Sequence, residues 1–282
     1  MNQLNHFIDL TRIKKPIGFM LLFWPCAWGL TLAYDFSLNL NNYFFYLILF
    51  FLGSIFMRSA GCIVNDILDK EFDAKVFRTK NRPIASGKVS IKLGILYSIL
   101  LCFLALLVLL NFNLFTIILA LGSMPLAFTY PLMKRFTYWP QLFLGITFNY
   151  GLILGWTAVN GKLEIIPILF YIGAIFWTLG YDTIYGYQDI KDDEIIGLKS
   201  TSIKFKGKAK EFLFVCYAFV IIFFIVGGFK MNFHFSYYFL MLIPVIHLFL
   251  YQIKKFDLKN PSSCLNAFKS NNLFGLIIFL NI

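Results

Sequence analysis

Histidine, cysteine and charge are all scarce in this chain of 282 residues. Its three histidines, His6, His234 and His247, are scattered, so neither a zinc site nor a Ser/His/Asp triad has a spacing to rest on. Cys26, Cys62, Cys102, Cys216 and Cys264 form no CxxC pair and no Cys/His cluster, and most fall in apolar runs, where they read as buried thiols. No GxxxxGK[ST] loop is present to cradle a nucleotide phosphate. Nor is there a cleavable signal-peptide pattern; the first apolar run, behind a basic flank, reads as an uncleaved anchor. Charged residues make up only 14% of the chain against 59% hydrophobic. With a mean hydropathy of +0.74, that balance excludes a soluble globular domain.

What is abundant is long apolar sequence. Runs able to cross roughly 30 Å of hydrocarbon as helices occur near 16–34, 43–64, 91–110, 112–130, 138–159, 164–186, 209–229, 234–253 and 268–282. Each exceeds the roughly ten residues of a barrel strand and none alternates. The expectation is therefore an all-α polytopic membrane protein with nine transmembrane helices, forming one domain over 1–282. The last run stops at Asn281-Ile282; from Ala267 it spans about 24 Å at 1.5 Å per residue, barely a crossing.

Of the 25 Lys and Arg residues, 22 sit in alternate loops. Arg12, Lys14 and Lys15 precede the first run, and seven lie between 66 and 92. Lys134 and Arg135 follow the fourth, six lie from Lys191 to Lys210, and Lys254, Lys255, Lys259 and Lys269 follow the eighth. The opposite loops hold Lys162 and Lys230. By the positive-inside rule these basic loops and the N-terminus face the cytoplasm, the expected setting being a bacterial inner membrane. Topology thus accounts for most of the net charge of +11 without nucleic acid, and no obligate protein partner is evident.

Eight of the fourteen carboxylates gather in two segments, Asn65-Asp66-Ile-Leu-Asp69-Lys-Glu71-Phe-Asp73 and Asp189-Ile-Lys-Asp192-Asp193-Glu194. Both lie on the basic side. They are related by an offset of 120 residues, Asp69 to Asp189 and Asp73 to Asp193, and the same shift carries Lys134-Arg135 onto Lys254-Lys255. The reading is an internal repeat, roughly 12–135 and 136–255, with a ninth helix at 267–282 outside it. Coincidence in a Lys-rich chain of low complexity is the alternative. A repeat would place the acid clusters face to face across a central cavity.

Arg58, Asn65, Asp69 and Asp73 are spaced by seven, four and four residues, which puts them on one helical face. Arg58 would then lie about two turns inside the membrane, where a charge is costly unless it meets a polar cavity or a partner acid such as Asp69. Two DxxxD pairs left bare would repel, so a cation is expected. Magnesium suits them better than calcium, because it typically takes one or two carboxylates and completes its shell with water and substrate phosphate oxygens. Arg78, Lys80, Arg82, Lys134, Arg135 and Lys199 surround the acids as a diphosphate would require. With 35 Phe and 15 Tyr in the chain, the other end of such a substrate would be lipid. Aromatics in membrane helices are usually packing, though they also shield a cation formed in a dry cavity.

These motifs resemble the UbiA superfamily of intramembrane aromatic prenyltransferases. The resemblance covers essentially the whole chain: Lys15-Pro16-Ile17-Gly18 and Trp24-Pro25, the segment from Arg58 to Asp73, Arg78-Thr79-Lys-Asn81-Arg82-Pro83, Tyr130-Pro131-Leu-Met-Lys134-Arg135-Phe-Thr137, and Asp182-Thr-Ile-Tyr185-Gly-Tyr-Gln-Asp189 through Gly197-Leu-Lys199-Ser200. The last of these, from Asp182 to Ser200, resembles the 4-hydroxybenzoate branch more than the haem O or chlorophyll branches. The resemblance implies transfer of a polyprenyl group from polyprenyl diphosphate to C3 of 4-hydroxybenzoate, a step of ubiquinone biosynthesis. It implies Asp69, Asp73, Asp189 and Asp193 as Mg2+ ligands supported by Asn65. Lys134, Arg78, Arg82 and Lys199 would bind the diphosphate, and either Arg58 or Arg135 the benzoate carboxylate.

In that chemistry, metal and Lys/Arg charge would stabilise the departing diphosphate, an allylic cation would form in a water-free cavity, and the ring carbon ortho to the phenol would attack. Asp182 or Asp189 would take the ring proton. Asp66 and Asp192 stay open between a site role and merely capping a helix or solvating a loop. Rival readings are a related enzyme with another aromatic acceptor and a secondary transporter. The transporter fits less well, because its coupling site would lie near the bilayer midplane rather than at helix ends.

Overall fold

Side-chain caps mark the heads of several apolar runs. Asn39 accepts from the Asn41 N–H, the Ser90 hydroxyl from Leu93, Asn113 from Thr116 and Asn260 from Ser262 and Ser263, each satisfying backbone donors that a helix start leaves open. Gly161, at φ 63°, ends the fifth run in the left-handed conformation that glycine adopts without strain.

The computed structural model describes residues 3–258 and 260–282; Lys259, counted among the basic loop residues, lies outside them. Every regular element among the described residues is helical. In order they are α1 (Gln3–Thr11), α2 (Ile17–Ala33), α3 (Leu40–Leu68), α4 (Lys70–Asp73), α5 (Ile91–Leu109) and α6 (Leu114–Thr129). A 3₁₀ turn, Tyr130–Leu132, leads into α7 (Met133–Phe136), followed by α8 (Pro140–Asn160), α9 (Ile165–Gly186), α10 (Ile190–Ile195), α11 (Thr201–Lys204) and α12 (Ala209–Lys230). The chain ends with α13 (Phe235–Leu240), α14 (Leu242–Val245), a π-helical stretch Ile246–Ile253, α15 (Pro261–Lys269) and α16 (Asn271–Asn281).

Seven of the described helical stretches are long and apolar enough to cross a membrane, and α2 is a shorter apolar helix of 17 residues. The expected ninth span is not continuous: α15 ends at Lys269, and α16 has 11 residues, about 17 Å at 1.5 Å per residue. The eighth is interrupted too, passing from α13 through α14 into the π-helix. α5 and α6 turn Ile99, Phe103 and Ile118 outward, each more than half exposed, which suits a hydrocarbon surround and not water.

The bundle's main core joins α2, α8, α9, α12 and α16 through Trp28, Trp156, Trp177, Tyr217, Phe224 and Phe274. α2 and α8 meet almost backbone to backbone. A Cβ on Gly29 would fall 2.0 Å from the Leu152 carbonyl oxygen, and one on Gly155 2.3 Å from that of Cys26, so small residues set this approach. A second, smaller core of Leu10, Ala60, Ile63, Ile84 and Val89 clamps α1 and the 74–90 loop onto α3. Those two elements carry Arg12, Arg78 and Arg82 to the ends of the helices that bear the acids.

Candidate active site

The two acid segments fold alike. α3 ends at Asp69 (φ −99°, ψ 8°) and the chain re-enters a helical turn, α4, in which the Asp73 N–H donates to the Asp69 carbonyl at 2.8 Å. α9 ends at Gly186, and Asp189 (φ −114°, ψ 7°) starts α10, where the Asp193 N–H donates to the Asp189 carbonyl at 2.9 Å. Each DxxxD pair therefore spans a break between a long helix and a short one.

Cations answer most of these acids. Asp69, 1% exposed, is ion-paired with Lys134, and the Arg135 Nη2 lies 3.7 Å from its Oδ1. Asp73 accepts from the Arg82 Nη1 at 2.7 Å. Asp189 takes a guanidinium fork from Arg78, with Nε to Oδ1 at 2.7 Å, while Arg78 also reaches the Tyr185 hydroxyl at 3.3 Å. Asp193 has no ion pair among the described residues. Burial first, and then the neighbouring Asp189 charge, push its carboxyl up to about 6. Asn65 stands one turn before Asp69 on α3, half-buried.

Asp66 is neither a loop solvator nor a mere cap. It is 2% exposed and takes two guanidinium groups on one oxygen, Arg12 at 2.5 Å and Arg82 at 3.1 Å. In the sequence Arg12 is only a topology signal; its contact with the site arises because α1 folds against α3. Asp192 stays at the half-exposed surface of α10. Lys199 turns away from both clusters: its ammonium donates to the Phe136 carbonyl at 3.2 Å and stands over the Tyr138 ring. Its backbone N–H instead braces the Lys134 carbonyl at 2.8 Å.

The two arginines considered for a carboxylate part company. Arg135 stays with the first acid cluster, donating to the Leu68 carbonyl at 2.6 Å and stacking over Phe72. Arg58, seven residues and so about 10 Å below Asn65 along α3, has no ion pair among the described residues. It lies over the Phe148 ring at 5.3 Å, and a Cβ on Gly18 would come within 2.8 Å of its Nε. It lines a cavity of about 220 Å³ with Tyr130 and Phe148; the wall continues through Cys26, Leu49, Met124 and Leu109 to Phe112. Asp182, on α9 two turns before Asp189, is half-buried, and Arg58 is the charge that acts on it.

The donor set fits a divalent cation of the magnesium kind. Among the described residues no three acidic, His or Cys side chains converge as a ready-made cage, and the Asp69 Oδ1 is buried without a hydrogen-bond partner. Hard carboxylate oxygens, one of them unsatisfied, match an ion that keeps much of its shell for water and phosphate oxygens.

Residues 22–278 match the model of the UbiA prenyltransferase family. The chain is 42% identical over 279 residues to the mitochondrial 4-hydroxybenzoate polyprenyltransferase of Arabidopsis thaliana, covering 98% of this chain and 67% of that protein. It is also 42% identical over 280 residues to the human protein of the same name, covering 99% and 75%. Its fold superposes on the apo structure of a UbiA homolog from Aeropyrum pernix with a TM-score of 0.77 at 23% identity, covering 93% of this chain and 96% of that one. A UbiA homolog from Archaeoglobus fulgidus bound to GPP and Mg2+ gives 0.70 at 19% identity, covering 98% and 99%. The chain belongs to the UbiA prenyltransferase family.

Proposed function

We propose that this chain transfers a polyprenyl group from polyprenyl diphosphate to the ring carbon ortho to the hydroxyl of 4-hydroxybenzoate, the membrane step that carries a ring toward ubiquinone. One observation carries the reading. Two similarly folded acid turns are joined through the Arg78–Asp189 contact, and α3, whose end bears the first of them, brings Arg58 to an apolar cavity below. Charged head and greasy tail of the donor are thereby separated along one helix. The likeness of the two turns also favours the internal repeat within a single domain.

Asp69 and Asp73, with Asp189 and Asp193 and the support of Asn65, would hold Mg2+, which supplies positive charge against the donor diphosphate. The cations now paired with these acids, Lys134, Arg78 and Arg82, are placed to turn onto the diphosphate as its allylic C–O bond breaks, meeting charge where it develops. Lys199 supports Lys134 from behind through the backbone. The cavity wall, apolar except for a few groups such as Arg58, Ser54 and Tyr130, excludes the water that would otherwise quench the allylic cation to prenol. Phe148 and Tyr130 offer ring faces to that cation.

Arg58 is the better partner for the benzoate carboxylate, since Arg135 is already held by the Leu68 carbonyl and the Asp69 carboxylate. For the ring proton we assign Asp182. Both Asp189 oxygens are held by Arg78, whereas Asp182 lies two turns earlier on α9, within electrostatic reach of Arg58. The protein is a multi-pass membrane enzyme with its acid turns on the Lys/Arg-rich side. The relatives compared are named mitochondrial, so they lend no support to the bacterial inner membrane expected from sequence.

An acceptor panel tests the reading. Purified protein in detergent with geranyl diphosphate and Mg2+ should prenylate 4-hydroxybenzoate and leave a hydroxynaphthoate untouched; prenylation of the naphthoate alone would move the assignment to a sister enzyme.

A further inference from the structure

The Asp66 carboxylate is the one acid of the first cluster whose charge is answered twice on a single oxygen. The Arg12 Nη2 lies 2.5 Å and the Arg82 Nη1 3.1 Å from its Oδ1, and that same Arg82 nitrogen reaches the Asp73 Oδ2 at 2.7 Å. Arg82 is thus shared between Asp66, which has a second cation, and Asp73, whose only ion pair among the described residues is Arg82.

Arg12 is held firmly where it is. It adopts φ 54°, uncommon for a residue with a side chain, directly after α1. That helix is pinned by Leu10, fully buried against the smaller core, and by the Ser59 hydroxyl donating to the Thr11 carbonyl at 3.4 Å. Asp66 is equally fixed, inside the last turn of α3 at 2% exposure. A fixed Asp66, itself held by Arg12, therefore shares one nitrogen of Arg82 with a carboxylate assigned above to metal.

We propose that Arg12 and Asp66 are positioning residues that tether Arg82. Arg82 neutralises Asp73 in the metal-free enzyme, is released from it when a divalent cation takes that carboxylate, and stays anchored on Asp66 within reach of the donor diphosphate. Asp66 is then a fixed post and not a metal ligand, and Arg12 tunes the post by setting how strongly Asp66 pulls on Arg82. The inference rests on the metal and diphosphate roles proposed above.

The two members of the post predict opposite effects on metal. Removing the Asp66 charge leaves Arg82 to Asp73 alone, and the competing guanidinium weakens the cation. Removing the Arg12 charge leaves Asp66 to Arg82 alone, which draws Arg82 off Asp73; metal affinity holds or rises while the donor binds less well. The experiment is Mn2+ affinity by electron paramagnetic resonance on the full chain in detergent, with KM for geranyl diphosphate and a thermal melt, for wild type, Asp66→Asn, Arg12→Gln and Arg12→Lys. Expected are about tenfold weaker Mn2+ binding in Asp66→Asn, the usual scale for a lost outer-sphere partner, undiminished Mn2+ binding with raised donor KM in Arg12→Gln, and wild-type behaviour in Arg12→Lys. Should Asp66→Asn fail to fold, Arg12→Gln against Arg12→Lys carries the test, since unfolding does not raise KM while sparing metal affinity. Both variants weakening Mn2+ together, or neither changing it nor KM, would overturn the tether. A wild type that binds no Mn2+ would overturn the metal reading and the tether with it.

Discussion

Arg78 and Asp189 are 111 residues apart in sequence and joined by a guanidinium fork, Nε to Oδ1 at 2.7 Å. This contact closes the site. It ties the loop after the first acid turn to the start of the second, so the two clusters are held as one unit. Because both partners are charged and the geometry is bidentate, Arg78→Ala should lower kcat/KM for the donor by about 2–2.7 kcal/mol, on the order of 30- to 100-fold. Arg78→Lys keeps the charge without the fork and should recover only part of the loss. Steady-state kinetics with varied geranyl diphosphate would check this; full recovery by lysine would mean that charge alone matters.

Asp193 gives a pH dependence of definite sign. Its carboxyl is held up to about 6 by burial and by Asp189, above its value of roughly 3.9 in an unfolded chain. Between those values the folded protein binds the extra proton. The group's contribution to stability is therefore fully present below about pH 4 and is lost as pH rises through about 6. Metal-free wild type should lose melting temperature across that window relative to Asp193→Asn. The Mg2+ concentration for half-maximal activity should rise as pH falls below about 6, because the proton competes for the same oxygen.

Gly18 offers a way to disturb Arg58 without deleting it. A methyl group there would press on the far end of a flexible side chain, 2.8 Å from the Nε, so the arginine should move and the helix should not. Gly18→Ala should raise KM for 4-hydroxybenzoate about tenfold and Arg58→Ala about 100-fold, the latter about 2.7 kcal/mol for a lost charged hydrogen-bond partner. The donor KM should hold in both. A donor effect of equal size would place Arg58 on the diphosphate.

Lysines 134 and 199 should behave differently although both belong to basic motifs. Lys134 is paired with the buried Asp69, and Lys199 donates to the Phe136 carbonyl. Lys134→Ala leaves the buried Asp69 with only Arg135, 3.7 Å away, and should cost about 2.7 kcal/mol in donor kcat/KM, or roughly 100-fold. Lys199→Ala should cost at most about 1 kcal/mol. Equal losses would return Lys199 to the diphosphate.

The α2–α8 contact should be intolerant of bulk. A Cβ at Gly155 would lie 2.3 Å from the Cys26 carbonyl oxygen and 2.6 Å from the Leu30 nitrogen, both backbone atoms that cannot swing aside. Gly155→Ala should destabilise the protein by about 1–3 kcal/mol, read as a lower melting temperature in detergent, whereas alanine at Gly122, which meets nothing within 4 Å, should melt like wild type.

Much of this arrangement was legible in the sequence because membranes constrain chains strongly. Hydropathy placed helices α3, α5, α6, α8, α9 and α12 within a few residues, and charge asymmetry put both acid turns on one side. The exceptions have local causes. The last run is broken near Ser270, where α15 and α16 meet, and the eighth passes into a π-helix with Gln252 and His247 buried inside the bundle, features that a hydropathy window averages away. The acids themselves were plain from spacing, and their partners were not. Arg12 meets Asp66 only because α1 folds back on α3, and Lys199 misses the acids because its side chain follows the end of α7. Contacts between residues 54 or 111 apart leave no local pattern to read.

The central claim is that two acid turns act together on a prenyl diphosphate to alkylate 4-hydroxybenzoate. The most direct test is mass-spectrometric detection of 3-geranyl-4-hydroxybenzoate from geranyl diphosphate and 4-hydroxybenzoate, with and without Mg2+, by wild type, Asp69→Ala and Asp189→Ala, each checked for folding. The account predicts metal-dependent product from wild type and none above background from either variant. Product formed without divalent metal, or retained when one turn is disabled, would contradict it.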